Sequence, residues 1–310
     1  MVRIKKCHAI SVHVTRNSVL NTKKKVVEKK KCSTNKKPNK RGEDAFRLQT
    51  LSPLKWLPRG HFSSSQIDMY QRCAMQYYFR YIESLKTPPA VALTEGICHH
   101  DALDMNNKHK IKKKKDLKTR LVVEKFNDEF DTKCKDIPRA IWKTSGERKD
   151  LVIKRGNNLI ENYMRSIAPY FNPITSEERF EVDVAGIPFL GFIDLTEEKV
   201  VTDYKVVRSA KSQKDADTDS QLTLYSYHKG ISNVRFCCLT KTVSSSIRLV
   251  QSSRDNGDYL AFEEQVKSVV SSIKKGSFPM CSPTNTFPCS EKWCGYWFKC
   301  RGKYLRKGRK

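Results

Sequence analysis

Two aspartates and a lysine fall on neighbouring predicted strands, at Asp194 and in Asp203-Tyr204-Lys205. Side chains two residues apart on a strand project to the same face, and an adjacent strand can bring Asp194 beside Asp203 and Lys205. Converging carboxylates suit a hard divalent cation, which prefers oxygen ligands. A lysine beside such an ion can orient or help deprotonate water and offset the charge on an attacked phosphate. The pattern therefore predicts phosphodiester hydrolysis.

A structural ion pair between Asp203 and Lys205 is the competing interpretation, because this chain is 30% charged. The surrounding sequence favours the site. Gly191, three residues before Asp194, allows the backbone to approach a ligand closely. Burying Asp203 within the apolar run 200–207 is costly unless the carboxylate is paired or bound to metal.

A second set of candidate ligands lies near the end of the chain, where Cys289, Cys294 and Cys300 are separated by four and five residues. Cys73 is the nearest plausible fourth thiolate, and Cys281 competes for that position. Zinc sites usually contain cysteines two residues apart, whereas one distant thiolate and three clustered ones suit a [4Fe–4S] cluster. Zinc remains the alternative. Neighbouring aromatic residues could shield the cluster from water: Trp293, Tyr296 and Trp297.

The formal net charge of +27 is unevenly distributed. Residues 1–60 hold 17 Lys and Arg against 3 Asp and Glu, and we expect them to form a basic, disordered arm. Such an arm is a nucleic-acid tether, a localisation signal or a solvated extension. The surplus that persists in the remaining residues predicts a polyanionic partner, most simply nucleic acid, with a solubilising basic surface as the alternative.

With 310 residues and 38% apolar content, the chain can form one substantial domain or two small ones. Eleven cysteines in a large, lysine-rich chain without a signal peptide argue for a reducing interior rather than for disulfides. No apolar run approaches the ~20 residues of a membrane span. We therefore expect a soluble protein of the cytoplasm or nucleoid (the host cytoplasm if viral) that is not secreted and does not bind membranes.

The elements that must position these residues begin with helices. The serines at 63–65 predict a helix start, followed by a helix that carries Cys73. A second helix near Thr94 should carry His99 and His100. The lysine-rich stretch 108–118 interrupts the pattern, and two amphipathic helices are predicted near 117–131 and 147–168.

Strand character follows, in a meander over 180–184, 189–193 and 200–207, with turns at Gly186 and at 197–198. A helix is predicted at 220–229, strands at 234–239 and 246–251, and a last helix at 257–275. This order of helix, three strands, helix and strand is an α/β layout with one central sheet.

In this order the motifs resemble the PD-(D/E)XK nucleases, in particular the RecB-like branch with an iron–sulfur cluster, as in AddB and the exonucleases of many phages. The similarity covers about residues 62–300. It rests on five elements ahead of the terminal cysteines: the serine-rich helix start with Cys73, the segment 96–100, the segment 191–194, the segment 203–205 and the segment 221–225. The resemblance implies a restriction-endonuclease-like core with a helical insertion and a C-terminal Fe–S cysteine region. The nuclease domain would span 61–302, followed by a basic tail at 303–310.

The resemblance also implies roles for individual residues. The motif Gly96-x3-His100 makes His100 a metal ligand, although the adjacent His99 leaves a one-residue ambiguity. The other metal ligands would be Asp194, Asp203 and the backbone carbonyl of Tyr204, and Lys205 would be the catalytic lysine. Gln221 and Tyr225, one helical turn apart, would hold the DNA backbone and support the lysine, although Tyr225 could be a core aromatic. The cluster would be structural and bound by four cysteines: Cys73, Cys289, Cys294 and Cys300.

The function expected on this basis is that of a Mg2+- or Mn2+-dependent deoxyribonuclease, an exonuclease of recombination, repair or phage replication. It would act on single-stranded DNA or duplex ends. The alternatives are a non-catalytic nucleic-acid-binding protein with an Fe–S cluster or zinc, and an RNA-directed nuclease. No helicase-type phosphate loop is visible in the sequence, so any unwinding would come from a helicase or recombination partner.

Overall fold

The central sheet has five strands in the order β1-β2-β3-β4-β5. All neighbours pair antiparallel except β3 and β4, which are parallel. The predicted α/β layout with one central sheet is confirmed. The strands are β1 (Thr175–Val184), β2 (Ile187–Thr196), β3 (Val201–Val207), β4 (Asn233–Thr240) and β5 (Ser246–Ser253).

This architecture comes from a computed structural model that describes residues 56–241, 245–282, 288–291 and 293–304. All of them belong to one compact unit. The predicted basic arm lies outside the described residues up to position 55, and so does most of the predicted basic tail. No helix in the described part of the chain is both long enough and apolar enough to cross a membrane.

The turn between β1 and β2 fixes the register of the first hairpin. Ala185 and Gly186 both have positive φ, +53° and +78°, as in the two-residue turns that match the twist of a hairpin. Val184 therefore pairs with Ile187, and the register runs unchanged to Thr175 opposite Thr196.

The helix predicted to carry Cys73 is in fact two helices with Cys73 between them: α1 (Ser64–Arg72) and α2 (Ala74–Tyr77), the second continued by a π-helical turn (Tyr78–Ile82). The prediction of one helix was wrong because Cys73 has extended backbone angles, with φ −165° and ψ 101°. The Met75 N–H donates instead to the carbonyl of Pro279 at 3.1 Å. Apolar spacing does not reveal a break at a single residue, because the same face stays buried on both sides.

The helical insertion comprises α3 (Val91–Lys113), α4 (Thr119–Lys133), α5 (Arg139–Ser145) and α6 (Lys149–Ser166). Helix α3 runs further into the lysine-rich stretch than predicted. Buried polar side chains near its end have partners: the Asn107 side-chain amide donates to the hydroxyl of Tyr204 on β3 at 3.3 Å, and Lys110 pairs with Asp116 at 3.0 Å. The short helix α5 was not predicted.

The remaining helices are α7 (Gln213–Asp217), α8 (Ser220–Lys229) and α9 (Asn256–Lys274). Helix α8 has the predicted bounds, because the Asp219 carboxylate caps its first turn and Gly230 ends it with φ +65°. It forms the crossover between the parallel strands β3 and β4.

The sheet separates two hydrophobic cores. Along β4, Phe236 and Cys238 pack into the core shared with α1, α8 and α9, whereas Cys237 and Leu239 pack against the helical insertion. This alternation is expected for a strand buried on both faces. Helix α3 consequently covers one face of the sheet and α8 the other.

Candidate active site

The alternation of side chains along strand β2 is interrupted at Asp194, so the residues on either side of it face opposite cores. Ile193 and Leu195 would share a face in a regular strand, yet they pack into opposite cores. Strand β1 is distorted at the same level, because Glu177, between the pairs Ser176–Leu195 and Glu178–Ile193, has φ +48°. A positive φ is unfavourable for a glutamate and is typical of functional sites.

The imidazole of His100 reaches this distorted point from α3. Its Nδ1 lies 3.4 Å from Asp194 Oδ1 and 3.8 Å from Glu177 Oε1. One potential ligand atom from each of the three residues lies within 4.8 Å of the others. One imidazole and two carboxylates are a suitable ligand set for a divalent cation.

Glu177 was missed by sequence reasoning, although a signal for it exists. Counting back from the two-residue turn at Ala185-Gly186 places Glu177 level with Asp194 on the neighbouring strand. The run Glu177-Glu178 hides the choice between the two acids, and the structure separates them: Glu178 pairs with Lys229 of α8 at 3.0 Å.

Strands β2 and β3 separate where the site begins. Their ladder consists of two pairs, Leu195–Thr202 and Thr196–Val201, and ends just before Asp194 and Asp203 would face each other. The Tyr204 N–H instead donates to Asp194 Oδ2 at 2.6 Å. This hydrogen bond leaves Asp194 Oδ1 facing His100.

Asp203 is 1% exposed and lies beside Lys205 rather than within the group of His100, Glu177 and Asp194. The Lys205 ammonium forms an ion pair with Asp203 Oδ2 at 2.7 Å. The Tyr204 side chain points the other way, into the core beneath the helical insertion, where its hydroxyl meets that of Tyr163 at 2.8 Å. The main chain of Tyr204 faces Asp194, and its ring meets the His100 imidazole edge-on at 6.1 Å.

A chain of hydrogen bonds connects Lys205 to α8. The ammonium donates to Gln221 Oε1 at 2.9 Å. The Gln221 amide donates to the hydroxyl of Tyr225, which donates in turn to the backbone carbonyl of Phe192. Since Gln221 and Tyr225 lie one helical turn apart, α8 fixes the rotamer of Lys205 and binds to β2 at the same time.

Three carboxyl groups near His100 control its pKa. Burial alone would lower this pKa, but Asp194, Glu177 and Asp203 outweigh burial and raise it to about 10. A divalent cation bound here would have to displace that proton.

Burial raises the pKa of Asp203 to about 7, although Lys205 acts in the opposite direction. For Lys205, burial would lower the pKa, but the attraction of Asp203 and then Asp194 raises it. Lys205 is therefore a cation at neutral pH. Burial also raises the pKa of Tyr225, so its hydroxyl remains a hydrogen-bond donor.

His99 lies away from this site. Its Nδ1 is 2.8 Å from the carbonyl oxygen of Glu95, and its ring packs 4.4 Å from that of Phe126. Burial lowers the pKa of His99 to about 4, so the ring is neutral. Of the two adjacent histidines, the structure places His100 beside Asp194.

Gly191 was predicted to let the backbone approach a ligand, and the structure shows a second role for it. It does line the cleft, but a Cβ on Gly191 would stand 2.6 Å from the ring of Phe180. That ring is buried and stacks on His228 at 4.5 Å. The glycine therefore leaves room for a core aromatic side chain directly beneath the site.

The cleft above these residues has a volume of about 660 Å³. His100, Glu177, Asp194, Gln221 and Tyr225 all line it. The start of α1 and the segment before it supply further polar and basic groups: Arg59, His61, Ser63, Ser64, Ser65 and Gln66.

The cysteines form a separate group. One small cavity is lined by Cys73, Cys281, Cys289, Cys294 and Cys300 together. The structure therefore brings Cys73 to the terminal trio and adds Cys281, which is buried.

The aromatic residues near the cysteines differ in exposure. Tyr296 and Trp297 line the cavity, and the Tyr296 hydroxyl donates to the Leu85 carbonyl at 2.9 Å. Trp293, predicted to shield the group, is half exposed and does not line it.

Comparisons with known proteins bear on the family and the fold. The family model for the PD-(D/E)XK nuclease superfamily matches residues 61–301. A crystal structure of a candidate exonuclease from Eubacterium rectale is similar with a TM-score of 0.52 and 13% identity, covering 84% of this chain and 96% of that one. A crystal structure of SSO0001 has a TM-score of 0.30 and 16% identity, covering 54% of this chain and 82% of the other, which is too weak to bear on the fold. The search of curated proteins gave no significant match.

Proposed function

Since the chain belongs to the PD-(D/E)XK nuclease superfamily, we propose that it is a divalent-metal-dependent deoxyribonuclease, and specifically an exonuclease of recombination, repair or phage replication. The observation that carries this proposal is the convergence of His100, Glu177 and Asp194 beside the Asp203–Lys205 pair. Family membership supports nuclease activity. The metal dependence, the mode of cleavage and the biological role are our proposals.

His100, Asp194 and Glu177 would hold the metal ion, together with Asp203 and the backbone carbonyl of Tyr204. The negative charge that raises the pKa of His100 fits a cation, because these groups otherwise collect a proton. A bound Mg2+ or Mn2+ would supply Lewis-acid polarisation of the phosphate and a lower pKa for water. The tyrosine N–H that holds Asp194 Oδ2 keeps that carboxylate oriented.

Lys205 would act as a fixed cation in this mechanism. Its ammonium is held between Asp203 and Gln221, so it can orient water and offset the negative charge that develops on an attacked phosphate. The ion pair with Asp203 was the competing structural interpretation, and the structure contains that pair. The two interpretations are compatible, because the pair lies at the open end of the β2–β3 ladder.

We further propose a structural [4Fe–4S] cluster bound by Cys73, Cys289, Cys294 and Cys300. Thiolates on a single zinc ion would lie about 3.8 Å apart, given Zn–S bonds of about 2.3 Å. The spacing of the cysteines, one distant and three clustered, is what favours the larger cluster over zinc, and all four line one small cavity. Cys281 is the competing ligand. The cluster would join the break between α1 and α2 to the C-terminal segment.

DNA is the proposed substrate, as single strands or duplex ends, with any unwinding supplied by a helicase or recombination partner. The basic and hydroxyl groups at the start of α1 could bind the phosphates on the approach to the site.

The proposal is tested by incubating the purified protein with matched linear DNA and RNA in Mg2+, Mn2+ or EDTA. We expect mononucleotides or short oligonucleotides from DNA in the presence of either ion and none in EDTA. Binding that survives EDTA, with no cleavage under any ion, would instead show a non-catalytic nucleic-acid-binding protein. Cleavage of RNA alone would show an RNA-directed nuclease.

A further inference from the structure

Three large apolar side chains are exposed inside the cleft. Leu93 and Ile97 of α3 are 58% and 43% exposed, and Phe192 of β2 is 48% exposed. All three line the same cleft as His100 and Asp194. Clustered exposed apolar groups at a polar site are typical of ligand contacts rather than of incidental surface.

These side chains directly adjoin the proposed metal ligands. On α3, Leu93, Ile97 and His100 are spaced by four and three residues, so they lie along one side of the helix. On β2, Phe192 comes two residues before Asp194. The apolar group therefore borders the place where the proposed site would bind the phosphate to be cleaved.

Phe192 is carried on a rigid support. Its backbone lies in the β1–β2 ladder opposite Arg179, and its carbonyl accepts the hydrogen bond from the Tyr225 hydroxyl. Because the backbone is fixed, only the two side-chain torsions of Phe192 have to be ordered when the ring binds a flat ligand.

The cleft thus combines two kinds of surface. Arg59, His61 and the serines at 63–65 suit phosphates, whereas Leu93, Ile97 and Phe192 suit a flat apolar group. Single-stranded nucleic acids present that combination, because bases stack on aromatic side chains while basic groups follow the backbone.

We propose that Phe192, with Leu93 and Ile97 in the same cleft, holds the face of one nucleobase of the substrate strand next to the scissile phosphate. This inference rests on the proposed nuclease function and assigns a base-contacting role to Phe192. The base must be unstacked from its neighbours to enter. Since every base has a flat face, the contact selects for an unpaired nucleotide without selecting a sequence.

The test uses single-stranded oligonucleotides in which one nucleotide at a time, counted from the cleaved end, lacks its base. We call the missing base the gap. With the wild-type protein, a gap at one position next to the scissile phosphate should slow single-turnover cleavage by about 5- to 100-fold, whereas gaps further away should not slow it. Binding measured by fluorescence anisotropy in EDTA should weaken at the same position.

Three variants complete the test. Phe192→Ala should cleave the intact strand more slowly than the wild type does, and the gap should cost it much less than it costs the wild type. Phe192→Trp should preserve the effect of the gap. Tyr170→Ala, which removes an exposed aromatic residue that is not among those lining the cleft, should behave as the wild type.

An effect of the gap that persists undiminished in Phe192→Ala, or no effect of the gap in an active wild type, would overturn the inference. Faster cleavage by Phe192→Ala would also overturn it and would indicate that a protein segment covers the cleft. A wild type that cleaves nothing refutes the nuclease function itself, so the two failures are distinguishable.

Discussion

Replacing Gly191 with alanine should destabilise the fold directly beneath the candidate active site. The Cβ of the variant would stand 2.6 Å from Cε1 and 2.7 Å from Cζ of Phe180, far closer than atoms in contact can lie. The ring cannot move freely, because it is buried, stacks on His228 and meets Tyr225 edge-on at 5.8 Å. Backbone strain does not contribute, since Gly191 is not among the residues with positive φ.

Inserting one methyl group into a tightly packed core costs about 1–3 kcal/mol of unfolding free energy. In a domain of this size, each kcal/mol lowers Tm by about 2–4 °C, so Gly191→Ala should melt about 2–12 °C below the wild type. Because Phe180 contacts Tyr225, which orients Gln221 and Lys205, the variant should also cleave DNA more slowly.

The matched control is Gly96→Ala on α3. A Cβ at Gly96 meets nothing within 4 Å, and the residue lies inside a helix, where alanine is favoured over glycine by about 0.5–1 kcal/mol. The control should therefore melt about 1–4 °C above the wild type. Thermal unfolding followed by circular dichroism measures both changes. A Gly191→Ala protein that melts at or above the wild-type temperature would refute the packing argument.

Three further predictions concern the metal and the cysteines. Glu177→Gln should weaken Mn2+ binding by about tenfold or more, because it removes a charged ligand, whereas Glu178→Gln should not; calorimetric titration measures both, and equal losses would exclude Glu177 as a ligand. Because the pKa of His100 is raised to about 10 in the metal-free site, a proton competes with the metal. Mn2+ affinity should consequently rise between pH 6.5 and 8.5, by up to about tenfold per pH unit, and a flat profile would contradict this competition. Cys73→Ser should lose iron and melt at a lower temperature, whereas Cys281→Ser should retain iron, and the reverse result would exchange their roles.

The strands and α8 could be predicted because short-range sequence patterns determine them. Alternating apolar residues mark β1, apolar runs mark β2 and β3, and Asp219 and Gly230 delimit α8. Asp203 and Lys205 could likewise be placed together, because a regular strand puts residues two apart on one face. These inferences depend on neighbours in the sequence.

The distortion of the sheet could not be predicted in this way. Alternation implies that Ile193 and Leu195 share a face, and only the packing of two cores on opposite sides shows that the strand turns over between them. Glu177 reaches the site through the same distortion, because its positive φ lies opposite the interruption of β2 at Asp194. The break at Cys73 is also non-local, because it depends on a hydrogen bond from Met75 to Pro279.

If Lys205 assists metal-dependent cleavage of DNA as proposed, the single-turnover cleavage rate of Lys205→Ala must fall. The wild type, Lys205→Ala and the control Lys267→Ala, which removes a lysine of α9 that is not among the cleft-lining residues, should be compared at saturating Mg2+ or Mn2+. Removing a preorganised group that stabilises charge in the transition state costs about 100- to 1000-fold in rate, so Lys205→Ala should be slower by about that factor and the control unchanged. A rate for Lys205→Ala equal to that of the wild type, with both proteins folded and metal-bound, would show that Lys205 takes no part in catalysis.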